Sequence, residues 1–331
     1  MYFLYSFIGI IILLLFFILA KVIQLNYRKK NVTKEIEGMK YSKFSSAGEV
    51  DSLSIIPLVD YFTADIDSYK TEAGVSYLIR ADNKIIIMDL GLNLKKEHPS
   101  PLLHNLGKLG FSVNEIDMIF ISHAHLDHLG GFKEQKQKTF SLSRGDVKIG
   151  NIPVYSPVPI SPSKWNPGPN VKVIREPEIV YPGIASIGVI PRYLFFSGNT
   201  LEHCIAINVR GKGIVLIIGC GHQTIERIIE RTKMLFDEPI YAIIGGIHFP
   251  VNGGRFMVGP LNIQNVFGSD NPPYKGINER DVISAINAIK EVEPAVVSLS
   301  AHDSSDWSID CFKKAFKEKY IDLMVGNEIK L

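Results

Sequence analysis

Hydrophobic and polar residues alternate in blocks along the chain, and the blocks predict a mixed α/β architecture. Short apolar or alternating runs bounded by Asp, Asn and Gly predict strands. Leucines at helical spacing in residues 102–110, ending at Gly110, predict a helix between two of these strands. The predicted strands are SIIPLV, VSYLIRA, KIIIMDLG, IDMIFISH, CIAINVR, GIVLIIGCG, IYAIIGG and PAVVSLSAH, and further helices are predicted near 223–236, 278–292 and 307–319.

The N-terminus has a different pattern, because its first twenty residues carry no charged side chain. A helix of that length measures about 30 Å, roughly the hydrocarbon thickness of a bilayer. A cleaved signal peptide and a buried helix are the alternatives, but the segment lacks a basic start and a small-residue cleavage site. Basic residues flank only its C-terminal side, at Lys21, Arg28, Lys29, Lys30 and Lys34. The sequence therefore predicts a single-pass anchor in the lipid bilayer over residues 1–24, with the rest of the chain in the cytoplasm.

The remaining chain divides into a connection and one large domain. Residues 25–52 are mostly polar and predict a tether, and residues 53–331 predict the globular domain. Within it, residues 133–182 are rich in Lys, Ser and Pro, and recurrent proline excludes a regular helix, so a surface excursion is predicted there. Residues 250–276 are rich in Gly, Asn and Pro, and predict either a lid over a pocket or a disordered surface insertion, with Arg255 as a candidate anion contact.

Charge and cysteine content exclude some partners. Lys and Arg number 36 against 34 Asp and Glu, so no large excess of positive charge points to a nucleic acid. Charge alone names no partner, and the expected partner besides the bilayer is a small-molecule substrate. The three cysteines, Cys204, Cys220 and Cys311, are too few and too scattered for a disulfide framework. A reducing compartment agrees with the predicted cytoplasmic side.

Candidate chemistry is concentrated in ISHAHLDHLGG, which contains His123, His125, Asp127 and His128. This segment follows a predicted strand, and open α/β sheets place their sites at the carboxyl ends of strands. The spacing allows a turning loop to direct two pairs of side chains toward two points, and a single metal ion would not use all four. Imidazoles and a carboxylate suit Zn²⁺, with Fe or Mn as alternatives. The pattern predicts two divalent metal ions per chain, and a polar surface loop is the alternative.

Three later histidines favour the metal site over the surface loop. His222, His248 and His302 each lie just past an apolar run. Three separate strands would therefore deliver a histidine to one edge of the sheet.

These residues resemble the metallo-β-lactamase superfamily, whose signature is HxHxDH on a strand-to-helix loop of an αββα sandwich. The chain is more narrowly similar to the branch of metal-dependent hydrolases that includes the dihydropterin ribofuranosylaminobenzene-phosphate synthases. The segments that carry the resemblance are IIPLVDY, EAGVSYLI, IIIMDLG, ISHAHLDHLGG, EIVYPGIASIGVIPR, IIGCGHQTI, AIIGGIHF and SLSAHDSS, which run in family order across residues 53–331. The resemblance implies an αββα metallo-β-lactamase sandwich after the N-terminal transmembrane helix.

The resemblance also implies a role for each matching residue. His123 and His125 would bind the first metal, and Asp127 and His128 the second. His222 and His302 would complete the set, and Cys220 and His203 are held in reserve as ligands.

Residues of the predicted site are also expected to act beyond metal binding. Asp89 would support the ligand loop by accepting hydrogen bonds. Asp127 would orient a metal-bound hydroxide. His248 would bind substrate or assist proton transfer beside the metals, and a structural histidine is the alternative. The last histidine lies in AHDSSDW, where the branch usually reads His-Cys-Thr-Gly, so the contacts around it are expected to differ.

The sequence therefore predicts a membrane-anchored, dinuclear metal-dependent hydrolase, with zinc as the first choice of metal, acting on a phosphoester or ester-like substrate. Two alternatives stay open: a di-iron redox or metal-sensing protein on the same fold, and a catalytically silent membrane-bound binding module.

Overall fold

The computed structural model describes residues 2–331, and its helices and strands match most of the sequence pattern. The helices are α1 (Tyr2–Gly38), α2 (Pro101–Lys108), α3 (Phe132–Gln137), α4 (Ile225–Leu235), α5 (Ile263–Gly268), α6 (Glu279–Lys290) and α7 (Asp306–Phe316). The strands of the first half are β1 (Leu53–Val59), β2 (Ser76–Ala81), β3 (Lys84–Met88), β4 (Met118–Phe120), β5 (Thr139–Phe140), β6 (Pro153–Ser156), β7 (Ser161–Pro162) and β8 (Asn170–Val173). Those of the second half are β9 (Glu178–Tyr181), β10 (Ile184–Ser186), β11 (Ile190–Leu194), β12 (Gly198–Glu202), β13 (Ile205–Val209), β14 (Gly213–Ile218), β15 (Ile240–Gly245), β16 (Met257–Val258), β17 (Leu261–Asn262), β18 (Val296–Leu299) and β19 (Ile329–Lys330).

Two sheets form the centre of the domain. One has the strand order β19-β1-β2-β3-β4-β6-β8 and the other β18-β15-β14-β13-β10-β9. Alternating side chains of the first sheet, among them Ile86 and Met88, pack between the sheets against Ile205 and Ile217 of the second. Successive strand residues point to opposite faces, so the residue between them, Ile87, faces the other way.

The outer faces of both sheets are covered by helices. Leu102 and Leu106 of α2 pack with Ile87 on the first sheet, and α4, α6 and α7 pack on the second. The order of layers is therefore helix, sheet, sheet, helix, which confirms the predicted αββα arrangement.

The segment predicted as a surface excursion contributes to the core instead. Within residues 133–182, β6 and β8 extend the first sheet by parallel pairing with β4 and with each other. Val154 of β6 and Phe140 of β5 are fully buried. Proline excludes helix but is compatible with the first residue of a strand, which is where Pro153 lies in β6.

The structure also differs from the predicted tether. Helix α1 continues to Gly38, so residues 25–38 are helical rather than irregular. Leu25 and Val32 are buried and Ile36 is half-buried against the domain. These three residues are spaced by seven and four positions, so they lie on one face of the helix. The pattern is hard to see in the sequence because most of the other residues of the segment are polar.

Candidate metal centre

Five parallel-running strands end at one edge of the two sheets, and each is followed by residues of the candidate site. Strands β3 and β4 are parallel in the first sheet, and β14, β15 and β18 are parallel in the second. Their carboxyl ends lead in turn to Asp89, to residues 122–128, to Cys220 and His222, to His248, and to His302. The structure thus brings all of the sequence-predicted ligands except His203 to one place.

The first group of donors consists of His123, His125 and His222, whose donor atoms all lie within 4.8 Å of one another. His123 Nε2 is 2.9 Å from His125 Nδ1. The ring centroid of His222 lies 5.1 Å from that of His123 and 5.0 Å from that of His125. Three imidazoles at these distances are the donor set of a three-histidine zinc site.

The second group consists of Asp127, His128 and His302, and it shares no residue with the first. His302 Nε2 lies 3.0 Å from Asp127 Oδ2. The backbone N–H of Gly74 donates to His302 Nδ1 over 3.0 Å, which leaves the imidazole proton on Nε2 in the neutral ring. His302 therefore donates to Asp127 in this structure, and binding an ion through Nε2 would require the Gly74 contact to open.

The Asp89 carboxylate fixes the orientation of the first ligand loop. It accepts hydrogen bonds from the Ser122 amide at 2.7 Å and from the Ser122 hydroxyl at 2.6 Å. His128 Nδ1 lies 2.7 Å from Asp89 Oδ2, and His123 Nδ1 lies 2.9 Å from the Ser122 hydroxyl. Both Nδ1 atoms are thereby donors, so Nε2 of each ring is the nitrogen that would bind a metal ion, which in His128 would first have to lose its proton.

Cys220 and His248 form further groups with the ligands. Cys220 Sγ is 3.0 Å from His128 Nε2, and Cys220 groups both with His123 and His128 and with His222 and His248. The His248 ring nitrogen Nε2 donates to the carbonyl of Gln264 at 3.2 Å, so its buried Nδ1 is unprotonated and has no partner among the described residues. The reserve ligand Cys220 therefore lies within the site.

The other reserve ligand, His203, lies outside every donor group of the described residues. Its Nδ1 is 2.9 Å from the Ser186 hydroxyl and its Nε2 is 2.9 Å from the carbonyl oxygen of Ile121. The ring also stacks on Phe120 with centroids 4.2 Å apart. Both ring nitrogens of His203 are thus engaged between the sheets in this structure, away from the other candidate ligands.

The charges of the site suit a divalent cation. Burial holds the pKa of His123 and of His222 well below the usual value and lowers that of His125 to about 4, so these rings are neutral. Burial opposes protonation of His128, but the Asp89 and Asp127 carboxylates outweigh it and raise the His128 pKa to about 9.

A proton on His128 therefore balances buried carboxylates that have no Lys or Arg partner within residues 2–331. The Nδ1 atoms of His222 and His248 are buried and have no hydrogen-bond partner among the described residues, so each could bind a metal ion through its lone pair. Together, these features fit a site for metal ions.

Sequence reasoning missed the residues that hold the second ligand loop. The Glu202 carboxylate accepts hydrogen bonds from the backbone N–H groups of Cys220, Gly221 and His222 at 3.1, 2.8 and 2.8 Å. Burial raises its pKa to about 7. Asp303 similarly accepts from the His248 amide at 3.0 Å. The available signal was an acidic residue, Glu202, just before the apolar strand β13 and next to the more conspicuous His203.

The metal-ligand groups lie at the base of a cavity of about 1100 Å³. Residues 250–276 contribute Arg255, Phe256 and residues of α5 to its wall, and Gln264 of α5 donates to the His302 carbonyl at 2.7 Å. Arg255 also lines the cavity, but its guanidinium donates to Asp306 and to the carbonyl of Ala301. Tyr61 also lines the cavity, with its ring centroid 6.0 Å from the Arg255 guanidinium carbon, and burial raises its pKa to about 12, so its phenol is a hydrogen-bond donor at neutral pH.

The four-layer sandwich and its loop of clustered histidines define a metal-binding protein of the metallo-β-lactamase fold. The family model of the metallo-β-lactamase superfamily matches residues 69–191 of the chain. This match contains the first ligand loop and its supporting Asp89, and the later ligands follow it in the chain.

Three known proteins show the range of similarity. The 7,8-dihydropterin-6-methyl-4-(beta-D-ribofuranosyl)-aminobenzene-5'-phosphate synthase of Methanocaldococcus jannaschii is 23% identical over 329 residues, which cover 86% of this chain and 98% of that protein. A probable RNase of the same organism is 44% identical over 60 residues, which cover 18% of this chain and 13% of that protein. The solved structure of Tm1679, described as a metal-dependent hydrolase of the beta-lactamase superfamily, has a TM-score of 0.55 at 17% identity and covers 84% of this chain and 99% of its own. This last similarity shows the fold.

Proposed function

We propose that the protein is a membrane-anchored, metal-dependent hydrolase with a dinuclear centre, acting on a phosphoester or ester-like bond. The observation that carries the proposal is the division of six donors into two groups with no shared member. The groups are His123, His125 and His222, and Asp127, His128 and His302. Two divalent ions, with zinc as the first choice for imidazole and carboxylate donors, would supply a water of lowered pKa and polarise the substrate's carbonyl or phosphoryl oxygen.

The chain's own groups would position the substrate and its protons. Asp127 Oδ2, which faces His302 Nε2 at 3.0 Å, lies on the cavity wall where it would accept a hydrogen bond from the attacking water. His248 Nδ1 is unprotonated and would accept a hydrogen bond from the substrate or complete the ligand set. The Tyr61 phenol would donate to a developing negative charge on the substrate.

Anchoring is supported by helix α1. Residues 5–38 include a window long and apolar enough to cross a membrane, and none of that window is buried in the fold. The basic residues that follow the apolar half favour a domain on the cytoplasmic side. Helix α1 would thus hold the domain at the bilayer while Leu25 and Val32 fasten it to the fold.

The proposed function can be tested by measuring the metal content and the hydrolytic turnover of the full-length protein in detergent. We expect about two zinc ions per chain, hydrolysis of a soluble chromogenic phosphodiester or ester, and loss of turnover on chelation that zinc restores. His123→Ala should abolish turnover and release metal while the fold persists. His104→Ala, the same substitution on α2 away from the site, is the matched control and should retain both.

Other outcomes would contradict the proposal. Iron with visible absorbance and no hydrolysis would favour a redox or sensing protein. A chain without metal or turnover would favour a silent binding module. If the His123→Ala variant keeps its turnover, the assignment of His123 as a metal ligand is wrong.

A further inference from the structure

An apolar rim surrounds one side of the cavity mouth. It consists of six large hydrophobic side chains that are between 40% and 55% exposed: Phe196, Phe256, Met257, Val258, Leu261 and Phe267. Phe196 lies at the tip of the β11–β12 hairpin, and its ring stacks on Phe267 of α5 with centroids 5.2 Å apart. The other four lie on or next to the β16–β17 hairpin. So large a cluster of exposed apolar side chains marks an interaction surface.

The rim and the metal-ligand groups share one cavity. Phe256 and Phe267 line its wall, while His125, His222 and His302 line its base. Leu94 and Phe132, which are 67% and 69% exposed, also line the cavity. A substrate that enters here therefore passes between apolar side chains before it reaches the donors.

The rim is also tied to helix α1. Asp270, two residues beyond α5, forms an ion pair with Lys29 of α1 at 3.1 Å and with Arg192 of β11 at 2.9 Å. Helix α1 packs along β11, whose hairpin carries Phe196. The apolar half of α1 continues from this contact without burial in the domain. The exposed apolar half of α1 and the apolar rim therefore lie near each other.

Positive charges lie at the same mouth. Lys96 and Lys133 line the cavity and have no carboxylate partner among residues 2–331. An apolar entrance with unpaired lysines beside it is complementary to an anionic head group on an apolar chain.

We infer that the apolar rim rests on the bilayer that holds α1, and that the cavity takes its substrate from that bilayer. The substrate class is an anionic amphipath with a hydrolysable phosphoester or carboxyl ester bond near its head group. The apolar chain of the substrate lies along the cavity-lining side chains of Phe256, Phe267, Leu94 and Phe132, and the ester reaches the histidines. The inference about substrate rests on the proposed hydrolase, and the contact of the rim with lipid rests only on the proposed membrane anchoring of α1.

Depth-dependent quenching tests the rim without any need for turnover. A fluorescent label is attached to Val258→Cys in full-length protein that also carries Cys311→Ser, because Cys204 and Cys220 are buried. The protein is placed in nanodiscs whose lipids carry a nitroxide near the head group. Ile283→Cys on α6 is the matched control, since Ile283 and Val258 are both 55% exposed. We expect several-fold stronger quenching at Val258.

Equal quenching at the two positions would overturn the inference. The inference also fails if the label at Val258 is shielded in detergent without lipid and the chain is dimeric, because a second copy would then cover the rim.

Turnover on two forms of one ester separates this inference from the hydrolase proposal. Val258→Ser together with Met257→Ser should leave hydrolysis of a short soluble ester unchanged and slow hydrolysis of its long-chain, vesicle-embedded analogue about tenfold. Ile283→Ser should change neither rate. Equal rates of the double variant and the unaltered protein on the vesicle substrate would refute delivery from the membrane. If the unaltered protein hydrolyses neither ester, the hydrolase proposal fails. The fluorescence quenching at Val258→Cys would still test whether the rim contacts lipid.

Discussion

The Arg192 guanidinium donates from Nη1 to the carbonyl oxygen of His222 at 2.7 Å, which joins strand β11 directly to a candidate metal ligand. The same guanidinium pairs with Asp270, and Asp270 pairs with Lys29 of α1. The helix that we propose as the membrane anchor therefore reaches the metal-ligand groups through two ion pairs and one hydrogen bond.

Replacing Arg192 should loosen the His222 loop. Arg192→Gln removes the ion pair with Asp270 and the donor to the His222 carbonyl, both with little solvent exposure. We expect metal affinity to fall about tenfold, as for other residues that orient ligands, together with a lower thermal unfolding temperature. Competition with a chromogenic chelator measures the affinity. Arg210→Gln is the control, because Arg210 forms only exposed ion pairs, worth less than about 1 kcal/mol. Equal affinities of the two variants would contradict the proposed link.

Asp89 is expected to act on metal affinity without touching the metal. Asp89→Asn replaces a carboxylate oxygen that accepts from His128 Nδ1 and from Ser122. An amide donor at that position would favour the wrong tautomer of His128, so metal affinity should fall about 10- to 100-fold. The chelator competition reports the change. Asp82→Asn, on an exposed turn after β2, should have no such effect. Unchanged affinity in Asp89→Asn would show that the carboxylate serves the fold alone.

His203 and His222 should respond differently to the same substitution. His203→Ala leaves a hole beside Phe120 and two unpaired buried partners, so the free energy of unfolding should fall by roughly 2–5 kcal/mol. The metal content should stay at two ions. His222→Ala removes a member of the first donor group, so at least one ion should be lost with a smaller effect on unfolding. Measuring both the metal content and the thermal unfolding of each variant distinguishes the two roles. Loss of metal from His203→Ala would show that His203 is a ligand.

The amide of Gly74 should report whether His302 binds an ion. With the ring placed as the structure has it, this N–H donates to His302 Nδ1 at 3.0 Å and is protected from solvent exchange. If His302 binds an ion through Nε2, its proton moves to Nδ1 and the amide loses its acceptor. We therefore expect faster hydrogen exchange at Gly74 in the zinc-loaded protein than in the chelator-treated protein. Exchange unchanged by zinc would mean that His302 serves as a donor to Asp127 and not as a ligand.

Local patterns in the sequence were sufficient to predict the elements and the edge where the site lies. Apolar runs such as KIIIMDLG and GIVLIIGCG are strands in the structure, and the helices near 223–236, 278–292 and 307–319 are present within a few residues of their predicted ends. Parallel strands send their carboxyl ends to the same edge, so His222, His248 and His302 could be placed near the first ligand loop from chain order. The roles of these residues as ligands stay predictions.

Only the tertiary structure decided which donors face each other and which side chains hold them. Glu202 and His203 are adjacent in the sequence, yet Glu202 binds the Cys220–His222 loop while His203 binds Ser186 and Ile121. Neighbouring residues at the end of a strand point to opposite faces, so a shift of one position separates a site residue from a core residue. The amino-acid composition of the segment does not show which of the two residues faces the site. The docking of α1 through Lys29 and Asp270 was hidden for a related reason: a contact between residues 241 positions apart depends on how the layers pack, which no local pattern encodes.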